Sequence, residues 1–246
     1  MTGAPSAGDE ARRDELRDNL AALRTRIERG CAEAGREPDD VTLVVVTKYF
    51  PTSDVLLLHD LGVRDFGENR DQEAAEKFRE VRHTLSEVGA EPPTLHFIGR
   101  LQSNKAAHVA GYADVVQSVD RTKLVAALAK GAHAADRTVE VLLQVSLDGD
   151  TSRGGVLPAD VDALADAVAA QQLLDLRGVM AVAPLGADPD EAFTRLREVA
   201  DGIRARHPGA DWMSAGMSGD LEAGLRHGAT LLRVGTAILG SRPSLL

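Results

Sequence analysis

A single (β/α)8 barrel of the α/β class is the fold that the sequence predicts, and three observations predict it. Short apolar segments rich in Val, Ile and Leu recur between about residues 41 and 234, most of them separated by helix-like stretches; such alternation argues for parallel strands with helical crossovers. The length of 246 residues is one at which such a barrel forms as one domain, and no low-complexity linker divides the chain. The polar and glycine-rich segments follow the strand candidates, which gathers them at one end of the barrel. A doubly wound open sheet is the alternative arrangement of the same alternation.

Taken in order, residues 1–9 are small, polar and Pro/Gly-containing and read as a disordered tail, leaving 10–246 as the single barrel domain. From Glu10 to about Ala34, Leu16, Leu20, Leu23 and Ile27 recur at spacings of four and three, the apolar face of an extra helix before the first strand. Strands are expected at 41–47, 62–66, 94–98, 114–118, 139–146, 176–182, 210–213 and 230–234. Between them "SDVLLLHDLG", "NKAAHVAGYA", "RTKLVAALAKGAHAA", "PADVDALADAVAAQ" and "PDEAFTRLREVADGIRAR" read as helices, several with Ser, Asp or Pro near their starts.

Composition excludes several classes of function. With 43% hydrophobic and 27% charged residues the chain is an ordinary globular protein, and no apolar run approaches the length of about 18 that a membrane helix needs. The N-terminus lacks a basic start followed by an apolar segment, so a cytoplasmic protein is expected. A formal charge of −10 argues against nucleic-acid binding while allowing one phosphate in a local pocket. Cys31, the only cysteine, is expected to pack as a buried thiol. His59, His96, His108 and His227 show no i, i+4 pairing and no companion cysteines, so no metal site is expected, and His96 should pack or hydrogen-bond within its strand.

Chemistry is expected at the strand ends. "VTLVVVTKYFP" places Lys48 at the end of the first strand, where an ammonium beside apolar surroundings is costly unless paired. "WMSAGMSGD" and "LLRVGTAILG" follow the seventh and eighth, and phosphate sites in barrels are often built from those two loops. Ser214 and Ser218 offer hydroxyls, Gly216, Gly219 and Gly235 permit close backbone approach, and Thr236 presents an amide and a hydroxyl to an anion. Arg233 supplies a neighbouring cation. Two plainer readings stand beside these: a lysine that snorkels to solvent, and a "SAGMSGD" that turns and caps a helix with Ser218 or Asp220. Lysine opposed to a phosphate cup points instead to a Schiff-base amine. An arginine against a ring nitrogen would not protonate it. Asn69 in "GENRDQE" either holds a ligand oxygen or caps a helix, and Arg153 in "DTSRGG" either meets an anion or closes a polar loop. No G-x-G-x-x-G or P-loop follows a strand, which counts against dinucleotide and nucleoside triphosphate binding.

Together and in order, "VVTKYFP", "FGEN", "HFIGRLQSNK", "SVD", "QVSLDGDTSRGG", "RGVMAVAP", "SAGMSGDLEAG" and "RVGTAILGSR" resemble the pyridoxal 5'-phosphate (PLP) homeostasis protein family, the YggS/PROSC family. The resemblance implies a single barrel like the N-terminal domain of alanine racemase, fold type III of PLP-dependent enzymes. It implies that Lys48 forms the Schiff base with PLP, that Arg233 lies against the pyridine nitrogen, and that Ser218, Gly235 and Thr236 bind the phosphate, with Ser214 a further partner and Asn69 near the cofactor. Tyr49-Phe50-Pro51 departs from the family's shorter Thr or Lys to Pro arrangement, which bears on the cofactor's exposed side.

The function so implied is a carrier and regulator that holds PLP reversibly and hands it to apo-enzymes, as a cytoplasmic monomer without catalytic residues. An amino-acid racemase is the alternative. Racemases of this type take a second acid/base, a tyrosine, from a C-terminal β domain of a partner subunit, whereas this sequence ends at Leu246 and holds only Tyr49 and Tyr112. A silent barrel serving as an interaction scaffold ranks third.

Overall fold

The computed structural model describes residues 7–241. Its centre is a closed barrel of parallel strands in chain order: β1 (Thr42–Val46), β2 (Asp65–Glu68), β3 (Thr94–Phe97), β4 (Val115–Val119), β5 (Val139–Gln144), β6 (Leu174–Met180), β7 (Trp212–Ser214) and β8 (Leu231–Val234). Each strand is followed by one α-helix: α2 (Thr52–Asp60), α3 (Asp71–Glu87), α4 (Ser103–Ala110), α5 (Thr122–Ala135), α6 (Val161–Ala169), α7 (Pro189–Arg206), α8 (Leu221–Arg226) and α9 (Thr236–Leu239). β1 pairs with β8, Thr42 opposite Leu231 and Val45 opposite Val234. That closure removes both sheet edges and rules out the open sheet.

The additional helix α1 (Ala7–Glu33) starts three residues before the expected position, so residues 7–9 belong to it and not to a tail. Asp9 and Glu10 lie in its first turn, where negative charge is favoured by the helix dipole. Residues 1–6 lie outside the described residues. Leu16, Leu20, Leu23 and Ile27 are buried in the main core, while Arg12 pairs with Asp54 of α2 at 2.6 Å and Asn19 donates to the Ile238 carbonyl of α9. The helix therefore seals the barrel's outer layer beside its first and last units.

Among the elements that differ from expectation, β2 and α3 do so for a physical reason the structure shows. β2 begins at Asp65 instead of residue 62, because Gly62 (φ +89°) ends α2 and the Val63 amide bonds back to the Leu58 carbonyl. The apolar Val63 thus closes the helix as its C-terminal hydrophobic contact. Helix α3 falls in a stretch with no assigned helix, since its dense charges mask the stripe Ala74, Phe78, Val81 and Leu85, which is buried.

The main core lies between strands and helices, with Cys31 fully buried in it as expected. Val115, Leu142 and Met180 form a separate small cluster with Trp212. No helix among the described residues is long and apolar enough to cross a membrane.

Candidate functional site

The barrel's C-terminal end carries Lys48 on a tightly held turn. The Phe50 amide bonds to the Thr47 carbonyl and Tyr49 sits at φ +71°, a conformation costly for a bulky residue. Its cost is offset locally: the Tyr49 amide donates to Glu73 Oε1 at 2.7 Å, and the Arg70 guanidinium stacks 4.8 Å from the Tyr49 ring. Beneath the turn, buried Lys77 donates to Glu68 Oε1 (2.7 Å), the Thr47 carbonyl (3.0 Å) and Glu73 Oε1 (3.4 Å). Thr47 Oγ1 donates to the same Glu68 oxygen at 2.8 Å. Burial pushes the Glu68 carboxyl up, with Lys77 opposing it. Backbone and side chains on both sides of Lys48 are thereby fixed, while Lys48 itself has no hydrogen bond or ion pair among the described residues.

Lys48, Ser218, Arg233, Gly235 and Thr236 line one cavity of about 540 Å³, with Phe50 and Ile98 on its walls. Its seventh-strand loop turns at Gly216, φ +91°, where a Cβ would stand 2.9 Å from Leu232 and 3.1 Å from the Leu221 backbone. The Met217 amide donates to Asp220 Oδ1 at 2.6 Å, so Asp220 shapes the loop and makes no side-chain cap to α8. Arg26 of α1 holds the Ser218 carbonyl at 2.8 Å and Glu222 at 2.6 Å. At Gly235 a Cβ would lie 2.9 Å from the Val46 carbonyl, which reserves that position for glycine.

Arg233 is a buried cation without a carboxylate in hydrogen-bond contact. Its Nη2 donates to the Ala181 carbonyl at 2.8 Å and its Nη1 to Ser214 Oγ. Ser214 donates to Gln117 Oε1 (2.7 Å), Gln117 Nε2 to His96 Nδ1 (2.9 Å), and His96 Nε2 to Asp65 Oδ1 (2.9 Å). Each link donates in one direction, from guanidinium to carboxylate, across β8, β7, β4, β3 and β2. A bond between non-adjacent β4 and β7 has to cross the barrel, so the chain runs through its interior. Desolvation pushes the Arg233 pKa down to about 10, which still leaves it charged at neutral pH.

The remaining expected residues are placed elsewhere. Ser214 is fully buried behind Arg233 and does not line the cavity. Asn69 lines an adjacent cleft; it caps no helix, the cap position of α3 being Arg70. Arg153 pairs with Asp148 and Asp150 and closes its own loop. No cluster of three or more metal-ligating side chains exists among the described residues. Sequence reasoning missed Gln117, Glu68 and Lys77. The signal for Gln117 was an amide inside the apolar strand "VVQSV", and His96 bonds across strands, not within its own.

Residues 12–243 match the family described as alanine racemase, N-terminal domain. A relative in Mycobacterium tuberculosis, the "Pyridoxal phosphate homeostasis protein", is 43% identical over 94% of each chain. The chain belongs to the pyridoxal phosphate homeostasis protein family. The Escherichia coli protein of that name is 37% identical over 93% of this chain and 97% of its own. The structure of PipY from Synechococcus elongatus with PLP bound is similar at TM-score 0.77 and 33% identity, covering 92% of this chain and all of that one. Among members of the pyridoxal phosphate homeostasis family, the Lys48 cavity and its cup are thus set in a shared barrel.

Proposed function

We propose that this chain binds PLP in the Lys48 cavity and acts in PLP homeostasis. The observation that carries the reading is the convergence on one cavity of an amine without a protein partner, two hydroxyls, a glycine cup and a buried guanidinium. These groups fit the ligand chemically. PLP supplies, when bound, an aldehyde that condenses reversibly with a primary amine and an electron-withdrawing ring. Lys48 is the amine at the site, and its clamped turn keeps Nζ at the cavity while the chain beneath stays rigid. Ser218, Thr236 and the glycine backbone at 235 offer donors for a phosphate. Arg233, charged at neutral pH and anchored from behind by Ser214, donates hydrogen bonds without giving up a proton, so a ring nitrogen beside it stays unprotonated. Asn69 contributes from the adjoining cleft.

The family name of the relatives and the PLP-bound PipY structure support this reading. It includes release of PLP to apo forms of PLP-dependent enzymes by a cytoplasmic monomer. The test is a visible absorption titration with PLP. Wild-type protein should develop a saturable imine band, and Lys48→Ala should lack it while keeping its circular dichroism; an equal band in the variant rejects the assignment.

A further inference from the structure

The hydrogen-bonded chain that leaves the Lys48 cavity at Arg233 ends at Asp65, which lies at the other mouth of the barrel. Asp65 lines a separate cleft of about 380 Å³ with Pro38, Thr42, Gly62 and Arg64, residues that precede or open β1 and β2. Its side chain is 25% exposed, against 1% for His96, so the chain runs from a buried cation to a carboxylate in contact with solvent. We propose that His96 is a positioning residue for Arg233: its Nδ1, kept as an acceptor by Asp65 at Nε2, orients Gln117 and, through Ser214, keeps the guanidinium facing the Lys48 cavity.

The two ends dictate every role between them. Arg233 can only donate, and an ionised Asp65 can only accept. Ser214 Oγ accepts from Arg233, which leaves its single proton for Gln117 Oε1. The amide is then held one way round, with Nε2 facing His96 Nδ1. That nitrogen has to be the bare one, so the ring proton sits on Nε2 against Asp65. With the proton on Nδ1 instead, Gln117 would turn over and donate to Ser214, and the Ser214 proton would lose its only acceptor among the described residues. Arg233, Ser214, Gln117 and His96 are all buried, where a group that loses its partner has no bulk water to turn to.

A second carboxylate stands near His96 at this end, Glu140 of β5. Arg177 of β6 pairs with it at 3.4 Å and stacks 4.5 Å from the Trp212 ring, so Asp65 is the carboxylate left to the imidazole. Packing alone does not call for histidine, since an apolar side chain of similar size would fill so buried a position at no desolvation cost. The consequence for PLP binding rests on the function proposed above, whereas the positioning of Arg233 stands without it.

The experiment compares His96→Leu with His96→Asn in the full chain. Asparagine can place an oxygen where Nδ1 stands, while leucine fills similar space without an acceptor, so a packing role favours leucine and the positioning role favours asparagine. Two quantities are read: solvent exchange of the Arg233 guanidinium protons in the ligand-free, 15N-labelled protein, and the affinity for PLP from the imine band. His96→Leu should speed the exchange and weaken PLP binding by about fivefold each, the worth of one hydrogen bond, with His96→Asn recovering most of both. Exchange in His96→Leu equal to wild type, or His96→Asn losing as much as His96→Leu, would overturn the proposal. Should His96→Leu fail to fold, the ring 15N shifts of wild type decide: a proton on Nε2 is expected, and one on Nδ1 would overturn it. Absence of an imine band in wild type would reject the function proposed for the cavity, whereas the exchange rates and the tautomer, both read without ligand, still decide the role of His96.

Discussion

Replacing Ser214 with alanine separates a hydroxyl that contacts a ligand from one that anchors Arg233. Ser214 is fully buried; its oxygen accepts from Arg233 and donates to Gln117. Losing a hydrogen bond to a charged group costs about 1.5–3 kcal/mol, and leaving the Gln117 oxygen buried without its donor adds about 1–3 kcal/mol. Because the two terms share one network they do not add fully, and a loss of about 3 kcal/mol is expected. That is a large part of the ~5–15 kcal/mol that stabilises a typical domain. The assay is urea unfolding at pH 7 without ligand, with Ser218→Ala as the comparison, a change expected to stay within ~0.5 kcal/mol. The midpoint should fall in Ser214→Ala at unchanged slope. If both variants unfold alike, within about 1 kcal/mol of wild type, the interior relay does not hold Arg233.

Three further outcomes follow from the same contacts. Lys77→Met strands the Glu68 carboxylate and should destabilise by about 3–5 kcal/mol in urea unfolding. Burial already holds the Glu68 carboxyl above 4.5, so its contribution is complete below that pH and declines as pH rises through the folded value; the variant should steepen that decline. Glu222, held below 4.5 by Arg26, contributes stability above pH 4.5 that is lost as pH falls through its folded value; Glu222→Gln should flatten the acid limb of a thermal-melt series against pH. Leu20→Ala, emptying a site 2% exposed on α1, should cost about 2–5 kcal/mol in the same cooperative transition, whereas a separate early step would show α1 to be peripheral.

The barrel was legible because eight strands and their loops carry opposite patterns, apolar β-branched runs against Gly, Ser and polar residues. Lys48, Ser218, Arg233, Gly235 and Thr236 were legible for the same reason, since strand ends in a barrel face one another whatever their separation in sequence. Ser214 was not, because its position in "WMSAG" fixes the strand it ends but not which face that residue takes. Nor were Glu68 and Lys77: one closes a strand, the other lies on a charge-dense helix, and only packing α3 against β2 brings the two within 2.7 Å. The β2 boundary shifted because Val63 belongs to a helix terminus, a contact that periodicity alone reads as strand.

Lys48 is the amine proposed to receive PLP. The chain has five lysines, Lys48, Lys77, Lys105, Lys123 and Lys130, so borohydride reduction of the protein–PLP mixture followed by peptide mass mapping decides among them directly. One modified site, Lys48, is expected at stoichiometric PLP. Label on Lys105, Lys123 or Lys130 in preference to Lys48, or no label at all, would contradict it.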